Sequence, residues 1–126
     1  MEGADADRIQ LRGLRAVGTH GILAEEHVRA QPFEVDLDII ADLGVPGRSD
    51  ELGDTVDYGA VTGAVAAVLA GPHADLLERL AERIADATFD VSGEHATAVV
   101  VTVRKLRPPV PVDLASAAVT ITRRRP

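Results

Sequence analysis

The sequence predicts an α+β fold: an antiparallel four-stranded sheet in the order β-β-α-α-β-β, with two helices on one face. Three observations carry this. Two stretches near the start alternate apolar and polar residues, "DRIQLRGLRAV" and "FEVDLDIIADL". Two central stretches, residues 59–70 and "ADLLERLAERIADAT", place apolar residues at helical spacing. Two valine- and threonine-rich stretches close the chain, "ATAVVVTVRK" and "LASAAVTITR".

In "DRIQLRGLRAV", Ile9 and Leu11 alternate with polar neighbours and read as a strand. The next strand is clearer. Phe33, Val35, Leu37, Ile39, Ala41 and Leu43 share one face, while Glu34, Asp36, Asp38 and Asp42 share the other, the pattern of a sheet with one wet side. "GVPGRSDELGD" reads as a loop with room for a short helical turn. Between Gly59 and Ala70, Ala60, Ala64, Ala67, Val61, Val65 and Val68 suit a helix that Gly71-Pro72 ends. In the following helix Leu76, Leu77, Leu80, Ala81, Ile84 and Ala85 form one apolar stripe, with Asp75 as the expected N-cap and Glu78 completing a capping box. In "ATAVVVTVRK", Val99, Val101, Val103 and Lys105 point the same way, because strand side chains alternate. The prolines of "LRPPVPVD" lack the amide donor and keep that segment out of free pairing.

With 126 residues the chain has the length of one domain, set here at residues 7–123, after a frayed start at residues 1–6 and before a basic tail at residues 124–126. The net charge of −7 argues against a nucleic-acid partner. No apolar run is long enough for a membrane span, and "MEGADADR" has no basic region followed by an apolar one, so no secretion signal is expected. The chain has no cysteine, which removes disulfides and thiolate metal sites and fits a cytoplasmic setting. His20, His27, His73 and His95 form no HxH or HExxH pair. There is no GxGxxG, no Walker loop and no G-x-S-x-G. No metal and no cofactor is expected.

What remains are single polar residues at element ends, each with a bland and a chemical reading. Lys105 is the only lysine beside twelve arginines. At a strand end it can snorkel, or it can move protons, which an arginine cannot do at any useful pH. Tyr58 can be a half-buried hydroxyl, Glu78 a cap and Glu26 surface charge, and His20 can be a turn residue before Gly21.

Five stretches in this order and spacing, "LRGLRAVGTHGILAEE", "QPFEVDLDI", "DTVDYG", "LLERLAERIA" and "VRKLRPPVP", resemble dihydroneopterin aldolase, a pterin enzyme family of the tunnelling-fold (T-fold) superfamily, over about residues 7–123. The resemblance implies that Glu78, with the backbone of Leu77, anchors a pterin, that Lys105 is the catalytic lysine, that Tyr58 relays protons, and that Glu26 lies near the lysine and the substrate's polyol. Glu25 and Glu26 are adjacent, and counting from His20-Gly21 assigns the role to Glu26. Tyr58 and Thr55 are expected to reach the site of a neighbouring subunit. The family forms rings of four, a closed β-barrel, stacked as a homo-octamer. The implied activity is cofactor-independent retro-aldol cleavage of 7,8-dihydroneopterin in folate biosynthesis, with 2′-epimerase side activity. A dihydroneopterin (triphosphate) 2′-epimerase and a non-catalytic pterin-binding ring are the alternative readings.

Overall fold

The computed structural model describes residues 6–126, so most of the expected frayed segment, residues 1–5, lies outside the described residues. Strands β1 (Arg8–Gly18) and β2 (Gln31–Ile40) form an antiparallel pair. A six-residue helix α1 (Gly44–Ser49) follows, then α2 (Tyr58–Ala70) and α3 (Leu77–Ser92). Strands β3 (Ala98–Lys105) and β4 (Ala117–Arg124) close the chain. The sheet runs β1-β2-β3-β4 and every neighbour is antiparallel. The outer edges of β1 and β4 are therefore unpaired among the described residues. The predicted order of four strands and two main helices is the observed one.

The alternation in β2 decides the layering. Phe33, Val35, Leu37 and Ile39 are all buried and face α2 and α3. Opposite them in register stand Val103, Val101 and Val99, also fully buried. From above, α2 contributes Val61, Val65 and Leu69, and α3 contributes Leu80, Ala81, Ile84 and Ala85. The core is almost wholly aliphatic, and each large side chain in it stabilises the fold by about 1.5–3 kcal/mol.

The other face of the sheet is polar and closely paired. Asp38 lies 3.1 Å from Arg8 and 2.6 Å from Arg12, Glu34 lies 2.9 Å from Arg15, and Arg104 reaches both Glu34 (3.0 Å) and Asp36 (2.7 Å). Burial pushes the Asp36 carboxyl up, but hydrogen bonds from the Gly13 N–H and from Arg104 outweigh it and hold the carboxyl below its ordinary range. Gly13, at positive φ, sits where the β1–β2 register shifts, a bulge that aims its N–H at Asp36.

Two expectations at α3 are corrected. Leu76, not Asp75, occupies the N-cap, and it caps nothing with its side chain. Asp75 turns away to His73 (2.9 Å), so no capping box forms with Glu78. The helix also runs on to Ser92, past the end of the predicted stretch. At the C-terminus Arg124 ends β4, while Arg125 folds back. Its guanidinium donates to the carbonyls of Ala96 and Phe89 and lies 4.7 Å from the Phe89 ring centroid.

Candidate active site

The cleft of interest opens where three segments meet: the end of β3, the turn after β1 and the start of α3. It measures about 380 Å³ and is lined by Ile22, Leu23, Glu26, Leu77, Glu78 and Lys105, with Asp75 at its edge. This is within the size range of small-molecule sites.

Lys105 is the last residue of β3 and lies on the apolar face that Val99, Val101 and Val103 share. Register places it across from Phe33 on β2 and Ala117 on β4. Its side chain is 13% exposed, and its Nζ donates to Glu26 Oε2 at 2.7 Å. The strand alternation that builds the core thus delivers one amine to the end of the core, where the next segment stiffens at Pro108-Pro109.

Glu26 is buried in a short 3-10 turn over Ala24–His27. Burial pushes its carboxyl up, yet donors from Lys105, from Gln31 Nε2 (2.9 Å) and from the Leu23 N–H (3.2 Å) win, and the carboxyl sits below the ordinary glutamate range. Glu25, its neighbour, is exposed, whereas Glu26 lines the cleft. A second cleft of about 210 Å³ lies beyond Glu26, between Arg29, Gln31, Arg107 and Pro109.

Three supporting residues were not assigned roles from sequence. Gln31 opens β2 and ties the Glu26 carboxylate to the His20 carbonyl (3.0 Å). Gly21 has φ +139°, and a Cβ there would collide with the Glu26 carboxylate. His20 is buried, its Nδ1 accepting from the Ala74 N–H (3.1 Å) and its Nε2 donating to the Leu69 carbonyl (2.7 Å). Burial holds its pKa below the ordinary histidine value. His20 is therefore a latch between the turn after β1, the end of α2 and the lead-in to α3, more than the simple turn residue expected. Only the His-Gly dipeptide hinted at these roles.

Glu78 stands in the first turn of α3, exposed toward the cleft, and no hydrogen bond within the described residues engages its carboxylate. Because α3 begins without a side-chain cap, its first-turn N–H groups at Leu77 and Glu78 stay open, the usual condition at an uncapped helix start. Lys105, Glu26, Glu78 and Leu77 are thus brought together. Thr55 and Tyr58 are not. Tyr58 opens α2 and is 60% exposed, about 17 Å along the helix axis from Leu69 near its other end.

Fold and site together define a class: an antiparallel α+β protein whose cleft joins an amine–carboxylate pair to a second carboxylate at a helix N-terminus. The family model described as FolB: Dihydroneopterin aldolase matches residues 9–122. A dihydroneopterin aldolase of Staphylococcus epidermidis is 38% identical over 117 residues, covering 93% of this chain and 96% of its own. One of Streptomyces coelicolor is 40% identical over 119 residues, covering 94% and 98%. The crystal structure of E. coli dihydroneopterin aldolase in complex with neopterin superposes with a TM-score of 0.82 at 23% identity, covering 93% of this chain and 98% of that one. The chain belongs to the dihydroneopterin aldolase family, and its activity is that of an aldehyde-lyase.

Proposed function

We infer that the cleft binds 7,8-dihydroneopterin and cleaves its C1′–C2′ bond, giving 6-hydroxymethyl-7,8-dihydropterin and glycolaldehyde. The observation that carries this reading is the 2.7 Å pair between the only lysine and a buried glutamate, in the same cleft as an unpaired glutamate. Most aldolases must create an electron sink, as a Schiff base or a metal enolate. The dihydropterin ring carries its own, the C6=N5 imine, so the protein's tasks reduce to gripping the ring and moving protons.

Glu78 grips the ring. Its carboxylate accepts two parallel hydrogen bonds from N3–H and the 2-amino group, and the Leu77 N–H donates to the ring's carbonyl. Lys105, directly or through water, takes the C2′ hydroxyl proton. The C1′–C2′ electron pair passes to C1′=C6 and N5, and glycolaldehyde leaves. Lys105 and Tyr58, with water, then return a proton to C1′. Glu26 Oε2 lies against Lys105 Nζ and is the nearest acceptor through which that proton can be shared, and it also receives the polyol hydroxyls.

Tyr58 and Thr55 act on the cleft of a neighbouring subunit. Support comes from their absence from the lining of the Lys105 cleft and from the edges of β1 and β4, unpaired among the described residues, which can pair between subunits to close a ring of four, stacked as an octamer. No described helix is long and apolar enough to cross a membrane. With the absence of cysteine, this suits a cytoplasmic enzyme. The same residues could re-add glycolaldehyde to the opposite face and invert C2′. Chromatography of the products from 7,8-dihydroneopterin tests the reading. Equimolar 6-hydroxymethyl-7,8-dihydropterin and glycolaldehyde are expected, with dihydromonapterin minor. Dihydromonapterin as the main product would make the protein an epimerase, and no turnover would make it a binding ring.

A further inference from the structure

We propose that His27, His73 and Asp75 form a binding site for a divalent transition metal of the Zn²⁺ class at the rim of the cleft, joining the turn that carries Glu26 to the segment that leads into Glu78. Their ligand atoms all lie within 4.8 Å of one another. Asp75 Oδ1 is 2.9 Å from His73 Nε2 and 3.9 Å from His27 Nε2. A tetrahedral zinc with bonds of about 2.0–2.1 Å separates its ligand atoms by about 3.3–3.4 Å, between those two distances. Seating the ion requires the exposed His27 ring to turn out of its stack on His73, so that its in-plane Nε2 lone pair points at the same ion. Side-chain exposures of 47% for His27 and 66% for Asp75 leave the remaining position open to water.

The surroundings hold the donors as an outer ligand shell should. His73 Nδ1 lies 2.5 Å from the Thr19 carbonyl. With Nδ1 donating there, Nε2 is the nitrogen left to bind the ion, which replaces the proton that Nε2 shares with Asp75 in the metal-free protein. Ala74, between the two donors, is clamped on both sides: its N–H donates to His20 Nδ1 and its carbonyl accepts from the Gly21 N–H at 2.9 Å. Arg83 fastens the preceding Pro72 carbonyl at 2.9 Å. The His27 ring stacks on that of His73 at 3.9 Å, so the two imidazoles already share one locus. His20, with both ring nitrogens engaged, and His95, held at the Gly53 carbonyl, are outside the donor set. Two imidazoles and one carboxylate select zinc, cobalt, nickel or copper over magnesium or calcium, which take oxygen ligands. No local motif announces the site, because His27 follows β1 while His73 and Asp75 lie between α2 and α3. The metal takes no part in the retro-aldol step. It cross-links two walls of the cleft.

The test uses the full-length untagged protein without substrate. Co²⁺ is titrated and followed by its visible d–d absorption, then displaced by Zn²⁺ in calorimetry. One metal per chain and a rise in melting temperature with Zn²⁺ are expected, with no such rise for Mg²⁺. His27→Ala and Asp75→Asn, both at exposed positions, should each weaken Zn²⁺ binding at least tenfold with circular dichroism unchanged. Glu78→Ala should leave it as in the wild type. Wild-type affinity in His27→Ala, or no Zn²⁺ binding at millimolar metal, would overturn the proposal.

Discussion

Glu78 does two things that conflict in an ordinary helix. It is placed in the first turn, where a carboxylate is electrostatically favoured, and it is left unpaired. A capping glutamate would reach back to the backbone, and this one is free to accept from a ligand. Glu78→Ala should therefore weaken neopterin binding by at least about tenfold, the worth of one charge-assisted hydrogen bond, while the melting temperature stays near that of the wild type. Calorimetric titration measures both the affinity and its enthalpy. A loss of stability with unchanged affinity would mean that the residue caps the helix after all. Lys105 shows the complementary logic. Its position on the core face was legible from alternation in "VVVTVRK", but its partner was legible only through the family resemblance, since Glu26 lies far away in sequence and on an irregular turn.

At the scale of elements, the turn between β1 and β2 is the least tolerant part of the site. Gly21 accepts a φ that strains any side chain, and it leaves space that the Glu26 carboxylate fills. Gly21→Ala should cost about 1–3 kcal/mol in denaturant unfolding and also depress turnover, because Glu26 must move. Gly63→Ala on α2 is the matched control: a Cβ there meets nothing, and the helix should gain about 0.5–1 kcal/mol. The polar face of the sheet adds a pH dependence. The folded Asp36 carboxyl lies below its ordinary value of about 3.9, so its contribution is fully present above that value and is lost as pH falls through the lower folded one. Asp36→Asn should flatten the acid limb of the stability curve below about pH 4 relative to the wild type, as read by urea midpoints. The strands and main helices were readable in advance because their apolar periods are strong. The start of α3 was not. Asp75 has the composition of an N-cap, but the histidine two residues before it competes successfully for the carboxylate. Gln31 and His20 gave no signal beyond their neighbours, because their roles are hydrogen bonds to backbone and side chains brought close only by folding.

For the whole molecule, the proposed reaction needs residues that one chain does not bring together. Tyr58 is exposed at the far end of α2, and both edges of the sheet are open among the described residues. If the sites are shared, Tyr58→Phe and Lys105→Arg chains, each nearly inactive alone, should regain activity when unfolded together and reassembled, since a mixed ring contains some sites with both native residues. Activity in the mixture no greater than the mean of the two parents would exclude shared sites.

The most direct test of the central claim is single-turnover cleavage of 7,8-dihydroneopterin by Lys105→Arg, with glycolaldehyde quantified and pterin affinity measured in parallel. The account predicts retained pterin binding and a cleavage rate lower by roughly 10² to 10⁴, the range that a positioned proton-transfer group supplies. Cleavage at the wild-type rate would contradict it, because the only lysine of the chain would then not be the group that moves the proton.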